Sequence, residues 1–334
     1  MRESSCEPEI RRRVARQRRV MNIGPSELVQ MAYVAQQHYR VGKSLVEIAD
    51  DIDMSRFKVA RLLARARETG LVTIRVNAPG TLHADLARRL AAAYGLNRAI
   101  VANTTTDLSP AIRAELGRIT ANLLTEIVTE SDVLGIASGR TLTAIVDQLD
   151  RLAPCDVVQL TGMAGDPNQT SSDLVRRICE ISGGRPFPIY APLVVSDPQA
   201  AEAFKRQASV QATFQRMSRV TKAVLAVGSW EPPESQLSDA LSDDERAELL
   251  ARGVRAEISA TLLDERGQRV PALEGRTLAI DIEALRNIPE VIVVAGGAQK
   301  TEALRAALNT GVVTILATDS HMAQRLLDGA PRAR

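Results

Sequence analysis

The sequence predicts an α/β protein in which an N-terminal helix-turn-helix domain precedes a larger α/β domain with a mainly parallel sheet. Three observations carry this. Between Ser44 and Arg67 two short helical patterns flank a tight turn, and the second is basic. From Arg98 onward short apolar runs alternate with amphipathic segments, the pattern of a parallel sheet covered by helices on both faces. Charge divides the same way: residues 1–75 carry 15 Lys+Arg against 9 Asp+Glu, a net +6, and the rest carry 27 against 31, a net −4. A chain of 334 residues with 45% apolar content can bury a small core and a larger one.

Residues 1–23 contain Arg11, Arg12, Arg13, Arg16, Arg18 and Arg19 without an apolar face and read as a flexible basic arm. Three readings stand open for it: phosphate contacts, a mobile tail, or codons upstream of a start at Met21. The helix-turn-helix domain is assigned to residues 24–78. Gly24-Pro25-Ser26 opens a first helix with Leu28, Met31, Ala32, Ala35 and Tyr39 inward. Ser44 and Glu47 have capping-box spacing, so a second helix begins at Leu45 with Leu45, Ile48, Ala49 and Ile52 on one face. Asp53-Met54-Ser55 interrupts the pattern, and Ser55 caps a third helix whose Val59, Leu62, Leu63 and Ala66 form the inward stripe. Lys58, Arg61 and Arg65 lie about 120° round from that stripe, at roughly 100° per residue. Arg56 and Phe57 occupy the first turn, the part of a recognition helix that meets base edges. Ser44, Ser55, Arg56, Phe57, Lys58, Arg61 and Arg65 are therefore the candidate contacts to double-stranded operator DNA; the competing reading is a solvated basic face on an ordinary hairpin. An aromatic content of 3% argues against single-strand or RNA binding by base stacking.

After Gly70, residues Leu71 to Val76 alternate and read as a strand, a minimal wing or a pairing arm. Asn77-Ala78-Pro79-Gly80 ends it and marks the domain boundary, so residues 79–330 form a second, larger domain. Leu82, Leu86, Leu90 and Ala93 give one helix stripe. The strands are expected at Ala99–Ala102, Val133–Ala137, Val157–Leu160, Pro188–Leu193, Ala223–Val227, Ile258–Leu263, Val291–Ala295 and Val312–Leu316. Ser109-Pro110 and Asp197-Pro198 start helices, the first with Ile112, Leu116, Ile119, Leu123 and Ile127 inward; Leu237 to Arg252 reads as one acidic, exposed helix.

In an open α/β sheet, ligands bind beyond the carboxyl ends of the strands. Four loops there are rich in small and polar residues: Ser138-Gly139-Arg140-Thr141, Thr161-Gly162 and beyond, Gly296-Gly297 with Lys300, and Thr318-Asp319. Two glycines at a helix start with a lysine suit a phosphate or carboxylate, unless Lys300 pairs with Asp319 or Asp264 instead. The loop is neither a Walker A sequence nor a dinucleotide turn, so no nucleotide cofactor is expected. His38, His83 and His321 are scattered, and Cys6, Cys155 and Cys179 fit neither a disulfide framework nor a zinc cluster. No metal site and no catalytic residue is assigned, since nothing places a nucleophile beside a base. No signal-peptide core and no bilayer-spanning run is present, which points to the cytoplasm and away from a membrane partner.

Ile48-Ala49, Ser55-Arg56, Arg61-Leu62-Leu63 and Ala66 to Val72 resemble the DNA-binding region of the SorC family of bacterial transcriptional regulators, also grouped as DeoR-like. Gly139-Arg140-Thr141, Val158 to Gly162, Ala191 to Val195, the Asp264–Gly267 turn, Ala295-Gly296-Gly297 with Lys300, Ala306-Ala307-Leu308 and Thr318-Asp319 resemble that family's sugar-binding domain, so that the likeness runs from about Gly24 to Leu327. The resemblance implies an effector domain of the phosphosugar-isomerase/CoA-transferase type, a homo-oligomer (dimer or tetramer), and a sugar, polyol or sugar phosphate as effector. It also implies effector contacts from Ser138, Gly139, Arg140, Thr141, Thr161, Gly162, Asp264, Gly296, Gly297, Lys300, Thr318 and Asp319. The alternative from another class is a sugar-phosphate isomerase carrying an extra helical domain.

Overall fold

The computed structural model describes residues 23–72, 82–104, 109–164 and 171–329. The chain divides into two compact units, Met1–Asn77 and Ala78–Arg334. The basic arm and most of the strand expected at Leu71–Val76 lie outside the described residues.

The first unit is built on three helices: α1 (Pro25–Gln36), α2 (Leu45–Asp51) and α3 (Arg56–Glu68). Its core is Met31, Val34 and Ala35 of α1 against Ile48, Ala49, Val59, Leu62, Leu63 and Ala66. Ala32 and Tyr39 are exposed, contrary to the expected α1 stripe. Tyr39 lies beyond α1, in a π-helical turn, Gln37–Val41, that closes on left-handed Gly42, and within α1 the buried face holds Val34 rather than Ala32.

In the second unit seven parallel strands form the order β1-β11-β10-β5-β2-β3-β4. They are β1 (Arg98–Ala102), β2 (Val133–Ile136), β3 (Asp156–Gln159), β4 (Pro186–Phe187), β5 (Lys222–Leu225), β10 (Glu290–Val294) and β11 (Ile315–Asp319). Successive strand residues point to opposite faces, so Val291 and Val293 join one core while Ile292 and Val294 join the other. The second of these cores is closed by α5 (Ser109–Ile127), α6 (Arg140–Val146) and α7 (Ser171–Ser182). The first is closed by helices that include α4 (Ala84–Tyr94), α9 (Ala208–Met217), α13 (Thr301–Asn309) and α14 (Ser320–Asp328). Of the stripe expected on α4, Leu86 and Leu90 are buried; Leu82 precedes the helix and Ala93 faces outward.

Three expected elements differ from the structure. The run read as one strand at Ala223–Val227 breaks at Ala226, and β6 (Val227–Trp230) leaves the parallel sheet to found a second, antiparallel one, β7-β6-β8-β9. In it, β7 is Pro233–Glu234, β8 Ala256–Ile258 and β9 Thr261–Leu263; the single strand expected at Ile258–Leu263 is thus a hairpin turning at Ser259-Ala260, both at positive φ. The helix expected from Leu237 to Arg252 is two, α10 (Gln236–Asp239) and α11 (Asp243–Ala251), because Ser242 and Glu245 form a capping box that starts a new helix. Pro188–Leu193 makes only an isolated bridge, from Pro192 to Met163. No described helix is long and apolar enough to cross a membrane.

Candidate effector cavity and nucleic-acid interface

A cavity of about 480 Å³ opens where β2 and β5 lie side by side. From β2 the chain proceeds outward through β3 to β4, and β5 returns to its other side, so this is the point at which strand order reverses and loops diverge to leave a crevice. The floor is Ala137 to Thr141 after β2, Thr161 after β3, Ala226 after β5 and Gly296 after β10. Ser109 and Arg113 of α5 close one side. The antiparallel sheet and α10 supply the opposite wall, with Gly228, Glu234, Ser235, Gln236, Asp239, Glu257, Ser259 and Ala260.

Of the expected effector contacts, Ser138, Gly139, Arg140, Thr141, Thr161, Gly296 and Lys300 line this cavity. The Thr161 hydroxyl accepts from the Ser138 amide at 3.2 Å, tying two of the loops together. Gly162, Asp264, Gly297, Thr318 and Asp319 are not part of its wall. Gly162 is packed against the Pro192–Leu193 backbone, where a Cβ would come within 2.6 Å of the Pro192 carbonyl oxygen. Asp264 accepts from the Arg266 and Gln268 amides at 2.9 and 2.7 Å and holds the turn after β9. Thr318 and Asp319 are fully buried because β11 begins three residues later than its apolar run suggests and carries both inside the sheet. There Asp319 accepts from the Met322 amide, capping α14, and from the Gly297 amide, each at 2.8 Å.

The Gly-Gly-x-x-Lys segment is consequently built differently from an anion cradle. The Gly297 amide is taken by Asp319, and a Cβ on Gly296 would stand 2.7 Å from both Asp319 and Ile112. The Lys300 ammonium donates to the Val227 carbonyl at 2.8 Å and stands 3.7 Å from Glu234, rather than pairing with Asp264 or Asp319. Burial pushes its pKa below the ordinary lysine range; Glu234 and Glu257 oppose that shift, and Arg140 and Arg113 reinforce it. The cations of the cavity that make no ion pair among the described residues are Arg113 and Arg140.

Glu257 is the acidic centre of the opposite wall. Its carboxylate accepts from Ser235 Oγ at 2.6 and 2.7 Å and from the indole of Trp230, the chain's one tryptophan. Burial raises its pKa, against the lowering influence of Ser235, Trp230 and Lys300. Gly228 makes room for it, since a Cβ there would lie 2.2 Å from Glu257 Oε1. Sequence reading missed Arg113, Glu234, Asp239, Glu257 and Ser259. A single acid within the apolar run from Ala256 to Leu263 was the available signal for Glu257; Arg113, on a helix side, had none.

In the first unit both halves of the Ser44–Glu47 capping box form, and Ser55 caps α3 through the Lys58 amide at 3.3 Å. Asp53 holds φ 48° in the turn, a conformation aspartate tolerates better than most residues. Arg56, Phe57, Lys58, Arg61 and Arg65 are all exposed; Phe57 is 73% accessible, with the Arg56 guanidinium 4.9 Å from its ring centroid. Arg65 pairs with Glu27 of α1.

Residues 79–328 match the family model described as "Putative sugar-binding domain". The chain belongs to this family. It is also 29% identical over 303 residues to the uncharacterized transcriptional regulator YjhU of Escherichia coli, spanning 87% of this chain and 92% of that one. It is 27% identical to the erythritol catabolism regulatory protein EryD of Brucella abortus, spanning 89% and 95%. Among solved structures, the full-length sorbitol operon regulator SorC of Klebsiella pneumoniae superposes with a TM-score of 0.70 at 22% identity, covering 90% of this chain and 99% of that one. The SorC-family resemblance read from the motifs is thereby borne out, as is the α/β fold class with its mainly parallel sheet.

Proposed function

We propose that this family member is a cytoplasmic, homo-oligomeric transcriptional regulator of a carbohydrate-metabolism operon, and that a phosphorylated sugar or polyol in the cavity controls its binding to operator DNA. The observation that carries the effector class is the cavity's polarity. Arg113 and Arg140 offer cations to an anionic group, while Glu257, Glu234 and Asp239 across from them offer acceptors to hydroxyls. The anionic end is assigned to the two arginines rather than to the Gly296-Gly297 amides. Regulation of sugar use is supported by relatives named for erythritol catabolism and for a sorbitol operon. On the first unit, the exposed first turn of α3 and its basic stripe are the surface for duplex DNA, and one short recognition helix per chain calls for a symmetric oligomer on a repeated or palindromic site.

The test is calorimetry with sugar phosphates and their unphosphorylated parents, joined to a gel shift on the promoter upstream of the protein's own operon. A phosphorylated ligand should bind more tightly than its parent and change the shift. Arg140→Ala should weaken it by about 10- to 100-fold, the worth of a charge-assisted hydrogen bond. Equal affinity for the parent sugar, with Arg113→Ala and Arg140→Ala both silent, would refute the assignment of the anionic end. Measurable turnover of a sugar phosphate would instead support an enzyme.

A further inference from the structure

The chain has four phenylalanines, and three of them, Phe187, Phe204 and Phe214, pack against the core of the second unit. Phe57 lies outside the core of its own unit. At 73% exposure it is the most exposed large apolar side chain among the described residues. A single apolar side chain in water is common on protein surfaces, so exposure alone assigns it nothing. Its place on α3 is what narrows its use.

Phe57 is the second residue of α3, in the turn that Ser55 caps. Val59, two residues on, is fully buried. At roughly 100° per residue the two side chains leave the helix about 200° apart, so Phe57 stands on the side away from the buried stripe of Val59, Leu62, Leu63 and Ala66. Arg61, four residues further, is its neighbour on that outer side, with Lys58 and Arg65 beside them, all exposed. The Arg56 guanidinium, 4.9 Å from the ring centroid, makes a cation–π contact that limits where the ring can go. Four cations thus surround one ring with no polar atom of its own. The cations suit phosphates; the ring does not.

We infer that Phe57 is a specificity-determining residue of the DNA interface, its ring packing on the C5-methyl group of a thymine in the major groove of each operator half-site. This rests on the DNA-binding reading above. Phenylalanine neither donates nor accepts, so it forms no hydrogen bond with a base edge, and the thymine methyl is the one apolar group that the bases present in that groove. Placed against cytosine, the ring would cover the amino group and take its water without replacing the bond. Lys58, Arg61 and Arg65 hold α3 to the backbone, which carries no sequence information by itself; Phe57 adds a choice of base.

The experiment uses the full chain. An operator is selected from a pool of random DNA duplexes, and each of its thymines is then replaced in turn by uracil, which pairs with adenine in the same way and lacks only the methyl group. Fluorescence anisotropy should show one thymine per half-site at which the replacement weakens binding about three- to fivefold, the worth of one methyl group removed from water. Phe57→Ala should bind the thymine and uracil duplexes equally at that position. Because the ring is exposed, this variant should melt with the unaltered protein. Lys58→Ala should weaken both duplexes alike and keep the preference for thymine. The assignment is overturned if no thymine responds to loss of its methyl group, if Phe57→Ala keeps the preference, as a ring wedged between base pairs or set against another protein would allow, or if Lys58→Ala abolishes it too. If the unaltered protein selects no duplex from the pool, the DNA-binding reading itself falls and takes this one with it; if it selects one and the methyl group is silent, only the assignment of Phe57 falls.

Discussion

Asp319 separates two accounts of the loop after β11, one in which it meets an effector and one in which it braces the sheet. Its two carboxylate oxygens have different tasks: Oδ1 accepts the Met322 amide at the start of α14, and Oδ2 accepts the Gly297 amide in the loop after β10. Asp319→Ala removes both. Loss of the helix cap costs about 0.5–2 kcal/mol, and a buried Gly297 amide left unpaired costs about 1–3 kcal/mol. The sum is roughly 1.5–5 kcal/mol, and at about 2–4 °C per kcal/mol for a unit of this size the Tm should fall by roughly 3–20 °C. Asp319→Asn keeps one acceptor and turns an amide NH₂ toward the other donor, so it should lose about half as much. Differential scanning calorimetry at neutral pH reads both, with ligand calorimetry alongside. The bracing account is refuted if Asp319→Ala melts within about 2 °C of the unaltered protein while its affinity for sugar phosphate collapses.

Three further outcomes are expected. Gly162→Ala drives a Cβ to 2.6 Å from the Pro192 carbonyl oxygen and 2.8 Å from Leu193 Cα; it should destabilise by about 1–3 kcal/mol in denaturant melts while leaving ligand affinity within about twofold. Glu257→Gln tests the buried carboxyl through pH. Burial raises its folded-state pKa, so its stabilising contribution is complete below the ordinary carboxylate range and is lost as pH rises through the raised value. The Tm of Glu257→Gln relative to the unaltered protein should therefore climb from acid toward neutral pH, and a flat or falling difference would contradict the shift. On α3, replacing Arg56 or Lys58 by Ala should weaken operator binding by roughly 1–3 kcal/mol at a base contact, or uniformly across sequences with a shallower salt dependence at a phosphate; undiminished affinity in the double variant would remove α3 from the interface.

How much of this could be read from the chain depends on how far each feature is fixed locally. The capping box at Ser44 and Glu47, the stripe of Val59, Leu62, Leu63 and Ala66, and the cap at Ser55 are contained within a few residues, and the first unit's α2 and α3 follow from them. The parallel strands were legible because strands buried on both faces are nearly continuous apolar runs. Their ends were not, since an apolar run does not say where pairing stops. Val312 and Val313 are buried yet precede β11, and that offset of three residues takes Thr318 and Asp319 out of the expected loop and into the sheet. The antiparallel sheet escaped notice for a related reason: β6 starts two residues after β5 ends, so two strands in different sheets read as one.

That offset of β11 accounts for two of the five expected contacts that lie outside the cavity wall, Thr318 and Asp319. Sheet topology brings the Ser138–Thr141 and Gly296 loops together whatever their side chains do, and these line the cavity. Which side chains of a loop face inward depends on what holds the loop. Here Asp319, Gly297 and Gly162 do the holding, through a capped helix, a bonded amide and a close backbone approach. The polar chemistry opposite comes from Glu234, Asp239 and Glu257, carried by two short strands and the one-turn helix α10, which the chain reaches only after leaving the parallel sheet at Ala226. A substitution in the anchoring group should therefore register first in stability, and one in the opposite wall first in ligand choice, so measuring Tm and affinity on the same variants distinguishes the two groups residue by residue.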